Sequence, residues 1–300
     1  MADERRVGFI GLGAMGGPMA SRLLDAGFEV HGYNRTASRA QPLQERGMVL
    51  ERSPAEVGRA APVVVTMVRD DAALAAVAEG AEGLLSGLQP GSIWIEMSTV
   101  SPSCSERLAV AAEALGASFL QAPVSGSVPH AQSGTLTIIV SGELEPLEQA
   151  RTVLANLGQT IHHVGPRSAA LYLKLAINLS IAVQVIGFAE GVVLASRHGV
   201  DPGQAVEVLL TSAIASPMLK GRGPLALARR AEAWFDVGLM QKDLQLALSQ
   251  AHQTGVALPL SALSQQLFSA TRALGLADED VIAVYDLLDR MAAQPQPVES

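Results

Sequence analysis

Hydrophobic and polar positions alternate in two regimes along the chain, and the change falls near His163. Before it, short apolar runs are separated by amphipathic stretches. RVGFIGL, 6–12, reads as a strand ending in glycines, and 18–26 as a helix with Met19, Leu23 and Leu24 inward. A second strand follows at 29–33 and a helix at about 38–45. Residues 63–68, VVVTMV, form an almost continuous apolar run without alternation, the mark of a parallel sheet covered on both faces. Helices over 71–79, 103–115 and 146–157 then alternate with strands at 92–96, 118–121 and 135–141. A βαβ order with right-handed crossovers predicts a mainly parallel sheet. From Ala169 the periodicity is helical only, over about 169–198, 202–211, 237–254, 259–273 and 278–290. Asp201–Pro202 and Pro259 supply a cap and first turns. The expected organisation is an α/β domain over 1–164, an all-helical domain over 165–293 that opens with a long interdomain helix, and a disordered tail, 294–300.

The first glycines carry chemistry. Residues 11–16, GLGAMG, follow a strand and open a helix, as a dinucleotide-binding (Rossmann) fingerprint requires. Gly11 permits the tight turn, Gly13 the approach of a pyrophosphate and Gly16 close helix–strand packing. Leu12, Ala14 and Met15 supply the rest of the loop, and the helix N-terminus offers amides to phosphate. A carboxylate at the end of the second strand would bind the ribose hydroxyls of NAD. Asn34, Arg35 and Thr36 stand there instead, with Arg39 one turn on and no acid until Glu45. A guanidinium can fork onto a 2′-phosphate, so NADP(H) is the expected cofactor. The alternative is a merely solvated Arg35. Met67 and Val68 end the third strand, and Met97, Ser98 and Thr99 the fourth. Strand carboxyl ends face the cofactor crevice, which makes Ser98 and Thr99 candidates for the nicotinamide side, while Met67 reads equally as core.

Lys174 and Asn178 lie four residues apart in an apolar helical run, so one face carries both. A buried ammonium is costly without a partner or a task. Such an ammonium, its pKa expected to be lowered by burial, can protonate the oxygen of a carbonyl that receives a hydride; Asn178 can orient the lysine or the substrate oxygen. The alternative is a lysine that snorkels from an interface. PVSGS, 123–127, offers the amides and hydroxyls of Ser125, Gly126 and Ser127 to a carboxylate, or is an ordinary turn. In FDVGLMQKDLQLAL, 235–248, Lys242 can reach cofactor or substrate and Asp243 can fix it, with Leu239, Leu246 and Ala247 on the buried side. Phe235 walls a pocket or packs in the core. His130 is a loop residue that could line the pocket; His31 reads as structural, and His162 and His163 have no local acid partner.

Composition narrows the classes. Apolar residues make up 49% and charged residues 17%, with a net charge of -8, which argues against nucleic-acid binding. The single Cys104 excludes an internal disulfide and a cysteine zinc site and fits a reducing, cytoplasmic compartment. No metal ligand set is visible. Polar residues and glycines interrupt the apolar stretch 175–194, so a buried helix is expected rather than a membrane span.

Together VGFIGLGAMGGPMA (7–20), MSTVSP (97–102), APVSGS (122–127), the Lys174/Asn178 helix and GLMQKDLQLAL (238–248) resemble the β-hydroxyacid dehydrogenase family over nearly the whole chain. NRT at 34–36 and SPMLKGRGP at 216–224 are most similar to its glyoxylate/succinic semialdehyde reductase branch. The resemblance implies Lys174 as catalytic lysine with Asn178 as companion and Ser125, Gly126 and Ser127 as the carboxylate loop. It makes Thr99 a substrate- or nicotinamide-side contact and Lys242 and Asp243 a second functional pair. It also implies a homodimer or homotetramer with the active site in an interdomain cleft. The implied reaction is NADPH-dependent reduction of a small carboxylate-bearing aldehyde or keto acid to the hydroxy acid. A 3-hydroxyisobutyrate-type dehydrogenase or an imine reductase-like activity are the alternatives. The chain departs from the family pattern at Gln121, usually an acid, at Ser127, where a glycine is common although the semialdehyde branch often has serine, and at Ser168 and Ala170, usually glycines.

Overall fold

The computed structural model describes residues 5–228 and 232–292, so the tail expected over 294–300 lies outside the described residues. The chain divides into two compact units, Met1–Lys174 and Leu175–Ser300, and the division falls inside one long helix.

The first unit starts β1 (Arg6–Ile10), α1 (Gly16–Asp25), β2 (Glu29–Tyr33), α2 (Gln41–Gln44), β3 (Val49–Leu50), α3 (Pro54–Ala60), β4 (Val63–Thr66), α4 (Asp71–Ala78), β5 (Ile93–Glu96), α5 (Pro102–Ala114) and β6 (Ser118–Gln121). These six strands form one parallel sheet in the order β3-β2-β1-β4-β5-β6. Successive residues of a strand enter opposite cores. Phe9, Val65, Ile95 and Leu120 pack on one side, and Ile10, Val64, Trp94 and Phe119 on the other. Burial on both faces is why β4 shows no alternation. Trp94 donates through Nε1 to Thr66 Oγ1 (2.9 Å) and meets Phe119 edge-on.

β7 (Val124–Ser125), α6 (Val128–Ser133), β8 (Leu136–Val140), α7 (Leu144–Leu157) and β9 (Gly158–His163) add a small sheet, β7-β8-β9, antiparallel then parallel. The hydrophobic pattern did not indicate α3 or α6. Both are short, and their signals are local. Ser53 accepts the Glu56 amide at the start of α3, with Pro54 next. The predicted helix at 38–45 is a 3-10 turn, Ala37–Ala40, that runs into α2.

α8 (Ala169–Arg197) is apolar and long enough, by composition, to cross a membrane, but its Ala182, Val185, Phe188, Ala189 and Val192 are buried in the second unit's core with Met240, Leu244, Phe268 and Val284. There follow α9 (Pro202–Thr211), α10 (Pro217–Arg222), α11 (Val237–Thr254), α12 (Pro259–Ala273) and α13 (Val284–Met291). The helix predicted from 278 starts later, as a 3-10 turn over Val281–Ala283 before α13. Asp280 precedes it in extended backbone and caps Ile282 with its carboxylate.

Candidate active site

The β1–α1 turn is built by its glycines. Gly11 has φ +96, and a Cβ there would lie 2.2 Å from the Met67 carbonyl oxygen. A Cβ on Gly16 would lie 1.9 Å from the Gly11 oxygen. Gly13 differs: a Cβ would meet only Arg39 Nη1, at 3.8 Å. The turn therefore needs Gly11 and Gly16 for its own packing and leaves open backbone at Gly13, where a pyrophosphate would approach. No side chain caps α1, so its first amides face that opening. These features fit a dinucleotide. Gly13→Ala is expected to leave thermal stability nearly unchanged while weakening dinucleotide binding, and Gly16→Ala to lower stability as well. Thermal melts beside fluorescence titration check this; equal loss of stability in both would contradict it.

Leu12 is buried and Met15 packs on the core, while Ala14 is exposed. Asn34 has a definite task. Its Oδ1 accepts the Leu12 amide (2.9 Å) and its Nδ2 donates to the Thr36 carbonyl (2.9 Å), tying the glycine turn to the end of β2. One of the two Nδ2 hydrogens of this amide is thus used within the protein. Arg35, Thr36 and Arg39 are exposed, and Arg39 lies beside Gly13.

At the carboxyl ends of β4 and β5, Met67 donates its amide to Ile10 and packs partly against the core. Ser98, a candidate for the nicotinamide side, is fully buried. Its Oγ accepts the Val68 amide (2.9 Å) and its own amide donates to Glu96 Oε1 (2.7 Å). It links the two loops, and Thr99 is the half-buried neighbour. Ser125 ends β7, Gly126 has φ +130, and Ser127 starts α6. His130 is not on a loop but in α6, where its Nδ1 accepts the Ser127 amide (3.2 Å). One amide expected to hold a carboxylate is therefore already bonded.

Lys174 is 9% exposed, in the first unit, on the second turn of α8. Asn178, one turn on, is 1% exposed in the second unit. Its Nδ2 donates to Asp243 Oδ2 (2.5 Å), and Asp243 Oδ1 is paired with Lys242 Nζ (2.8 Å). Asp243 belongs to the buried face of α11, with Met240, Leu244, Ala247 and Ala251; Leu239 and Leu246, expected there, are only partly buried. A carboxylate can only accept, so the bond to Asp243 fixes which end of the Asn178 amide is which. Asn178 Oδ1 is buried and, among the described residues, has no hydrogen-bond partner. Asn178 thus presents a buried acceptor: Oδ1 can accept a hydrogen bond from an ammonium or a hydroxyl, while Nδ2 uses one of its two hydrogens on Asp243.

Phe235 packs partly against the second unit's core. Its amide and that of Trp234 donate to Asp280 Oδ2 (3.4 and 3.2 Å), which is also paired with Arg222. The hydrophobic pattern indicated neither Arg222 nor Asp280. Other titratable groups have structural surroundings. His31 lies between Glu51 (2.7 Å) and Glu29 (3.1 Å), and His163 Nε2 lies 2.8 Å from the Gly142 carbonyl. Burial, then Asp71, pushes the Cys104 thiol up, away from thiolate chemistry.

Comparison with known proteins agrees with this geometry. Residues 6–165 match the NAD binding domain of 6-phosphogluconate dehydrogenase, and 168–288 match the family described as NAD-binding of NADP-dependent 3-hydroxyisobutyrate dehydrogenase. The chain is 33% identical over 282 residues to glyoxylate/succinic semialdehyde reductase 2 of Arabidopsis thaliana, covering 94% of this chain and 79% of the relative. It is 36% identical over 270 residues to 3-hydroxyisobutyrate dehydrogenase of Pseudomonas aeruginosa, covering 88% and 91%. Among solved structures, Psf3 in complex with NADP+ and 2-OPP superposes with a TM-score of 0.88 at 30% identity, over 94% of this chain and 99% of that one. An imine reductase from Pseudomonas sp., at 21% identity and a TM-score of 0.63, shares the fold. The chain belongs to the β-hydroxyacid dehydrogenase family, NAD(P)-dependent oxidoreductases acting on the CH–OH groups of hydroxy acids.

Proposed function

We propose that this protein is an NADPH-dependent reductase of small aldehyde or keto acids of the glyoxylate or succinic semialdehyde kind, with Lys174 as the general acid. The observation that carries the reading is the α8 face: a nearly buried lysine one turn before a buried asparagine whose Oδ1 is an unpartnered acceptor among the described residues. NADPH, when bound, supplies the hydride. The chain's own part is the proton. As negative charge builds on the carbonyl oxygen, the Lys174 ammonium stabilises it and transfers a proton, leaving the neutral amine and the hydroxy acid. Oxidation runs the same step backwards. Asn178 Oδ1 accepts from the ammonium or from the new hydroxyl, and Asp243 keeps that oxygen in place. Ser125, Gly126 and Ser127 hold the substrate carboxylate and Thr99 lies on the substrate side. Lys242 serves the substrate carboxylate or the cofactor, and Phe235 forms an apolar wall. The likeness to the Arabidopsis reductase supports this substrate class.

NADPH is preferred over NADH because the end of β2 carries Arg35 and Thr36 rather than an acid. Arg35→Ala is expected to raise KM for NADPH by roughly 10- to 100-fold, the worth of a charge-assisted fork, with little change for NADH. Equal effects on both cofactors would remove the 2′-phosphate role.

The testing experiment is a steady-state screen of NADPH and NADH against glyoxylate, succinic semialdehyde, methylmalonate semialdehyde and tartronate semialdehyde. NADPH oxidation by one or more of them is expected. The likeness to the Pseudomonas dehydrogenase favours a second reading, oxidation of 3-hydroxyisobutyrate. Turnover of that acid with NAD+, and none of the four aldehydes with NADPH, would replace the first reading by the second.

A further inference from the structure

Three of the departures from the family pattern, Gln121, Ser168 and Ala170, meet at one place. Gln121 ends β6 and is fully buried, and the first residues of α8 are bound around it. Its Oε1 accepts the Ser168 amide (3.0 Å) and the Ser141 hydroxyl (3.3 Å), and its Nε2 donates to Ser105 Oγ (2.6 Å) on α5. Gln121 and Ser141 also exchange both backbone hydrogen bonds. Ser141 Oγ in turn receives the amide of Ala170, which has no exposed surface. Ser168 has φ +74, the one non-glycine residue with positive φ among the described residues. Such a conformation costs a serine energy that glycine avoids. The bond from its amide to Gln121 holds it there. Arg167, just before, pairs with Glu106 (2.9 Å) and Glu113 (3.0 Å) of α5.

We propose that Gln121 is a positioning residue for Lys174: its carboxamide, through Ser168 and Ser141, sets the first turn of α8 and so the place from which the lysine amine projects. Lys174 follows Ala170 by four residues, one turn along the same face of the helix. A shift of the first turn is passed to it through a rigid element, and misplacement of a reacting group by an ångström is costly. A primary amide suits this position because it accepts from the backbone and donates to Ser105 at once. An ionised acid only accepts, and here it would stand beside its register partner Glu96, also fully buried.

The inference rests on Lys174 being the proton donor, and the test separates the two. Gln121→Leu, close in size, removes both hydrogen-bonding roles, and Ser141→Ala removes one relay. Kinetics with NADPH and the best substrate of the screen, NADPH titration by fluorescence and thermal melts would be measured on each. Gln121→Leu is expected to lower kcat roughly 10- to 100-fold, with NADPH affinity kept, and Ser141→Ala to lower it less. Gln121→Glu provides the rescue. Protonated, its carboxyl both accepts and donates as the amide does; ionised, it does not. Its kcat should approach wild type at the acid end of the profile and fall as pH rises in a limb additional to the one that deprotonation of Lys174 gives both proteins. Charged groups on β5, on α5 and around the start of α8 are Glu96, Glu106, Arg107, Glu113, Arg167 and Lys174, all present in both proteins. If Gln121→Leu misfolds, Ser141→Ala and the Gln121→Glu profile decide. Wild-type kcat in Gln121→Leu, or a Gln121→Glu profile parallel to wild type, would overturn the positioning role while Lys174→Ala stayed inactive. An active Lys174→Ala would instead remove the general-acid reading.

Discussion

Lys174→Ala is expected to lower kcat by about 10²- to 10⁴-fold, the usual contribution of a positioned general acid, while the affinity for NADPH stays near that of wild type. The reason is the division of tasks along the chain. The dinucleotide features lie in the β1–α1 turn and the end of β2, tied together by Asn34. Lys174 stands on α8, nearly buried, more than a hundred positions further along the chain. Truncation therefore removes an interaction that strengthens as the oxygen gains charge, which lowers kcat and kcat/KM together. Asn178→Ala should have a smaller effect, because the asparagine orients the reacting groups by hydrogen bonds without titrating, and it should also leave Asp243 short of a donor. Transient kinetics of NADPH oxidation, with fluorescence titration of the cofactor, checks both. Turnover by Lys174→Ala equal to wild type would remove the acid assignment.

Asp280→Ala should cost about 3–5 kcal/mol of stability, the usual result of breaking a buried ion pair from one side. Both side chains of the Arg222–Asp280 pair are 8% exposed, and the guanidinium also lies over the Trp234 ring at 5.9 Å. The carboxylate does more than balance Arg222. It accepts the amides of Trp234, Phe235 and Ile282, which would lose their acceptor along with the charge. Asp280→Asn keeps an acceptor for those amides and should cost less. Replacing both partners by apolar residues, often neutral for an isolated buried pair, should remain destabilising here because the amides stay unmatched. Urea unfolding in the absence of cofactor measures each difference. Asp280→Ala with wild-type stability would show that this pair does not hold the segment that carries Phe235.

Much of the fold was legible because burial leaves a periodic trace. A strand buried on both faces shows an apolar run without alternation, which is why VVV at 63–65 was clear. The two-residue β3 and the helices α3 and α6 leave too short a trace, and their signals are capping residues such as Ser53 and Ser127. The start of the last helix was misplaced because the apolar run reaches 281, whereas the Asp280 carboxylate is needed for capping and for Arg222.

In the candidate site, local features were legible and tertiary ones were not. Gly11, Gly13 and Gly16 show their tasks by spacing alone. Lys174 and Asn178 show a shared face. The bonds that fix the site join residues far apart in sequence: Asn178 to Asp243 across 65 positions, Arg222 to Asp280 across 58, and Ser168 to Gln121 across 47. A hydrogen bond between two side chains leaves no period, so only the folded chain reveals it. For the same reason the sequence shows Ser98 and Asn34 only as residues at strand ends, and the folded chain adds that each also bonds to a neighbouring loop.

The central claim is that the Lys174 amine delivers the proton to the reacting oxygen. A crystal structure of the protein with NADP+ and the hydroxy acid product of its best substrate tests this most directly. The Lys174 Nζ should lie within hydrogen-bond reach of the product hydroxyl, at about 2.6–3.2 Å, with Asn178 Oδ1 accepting from one of the two. An amine directed away from the hydroxyl, with another group bonded in its place, would contradict the account.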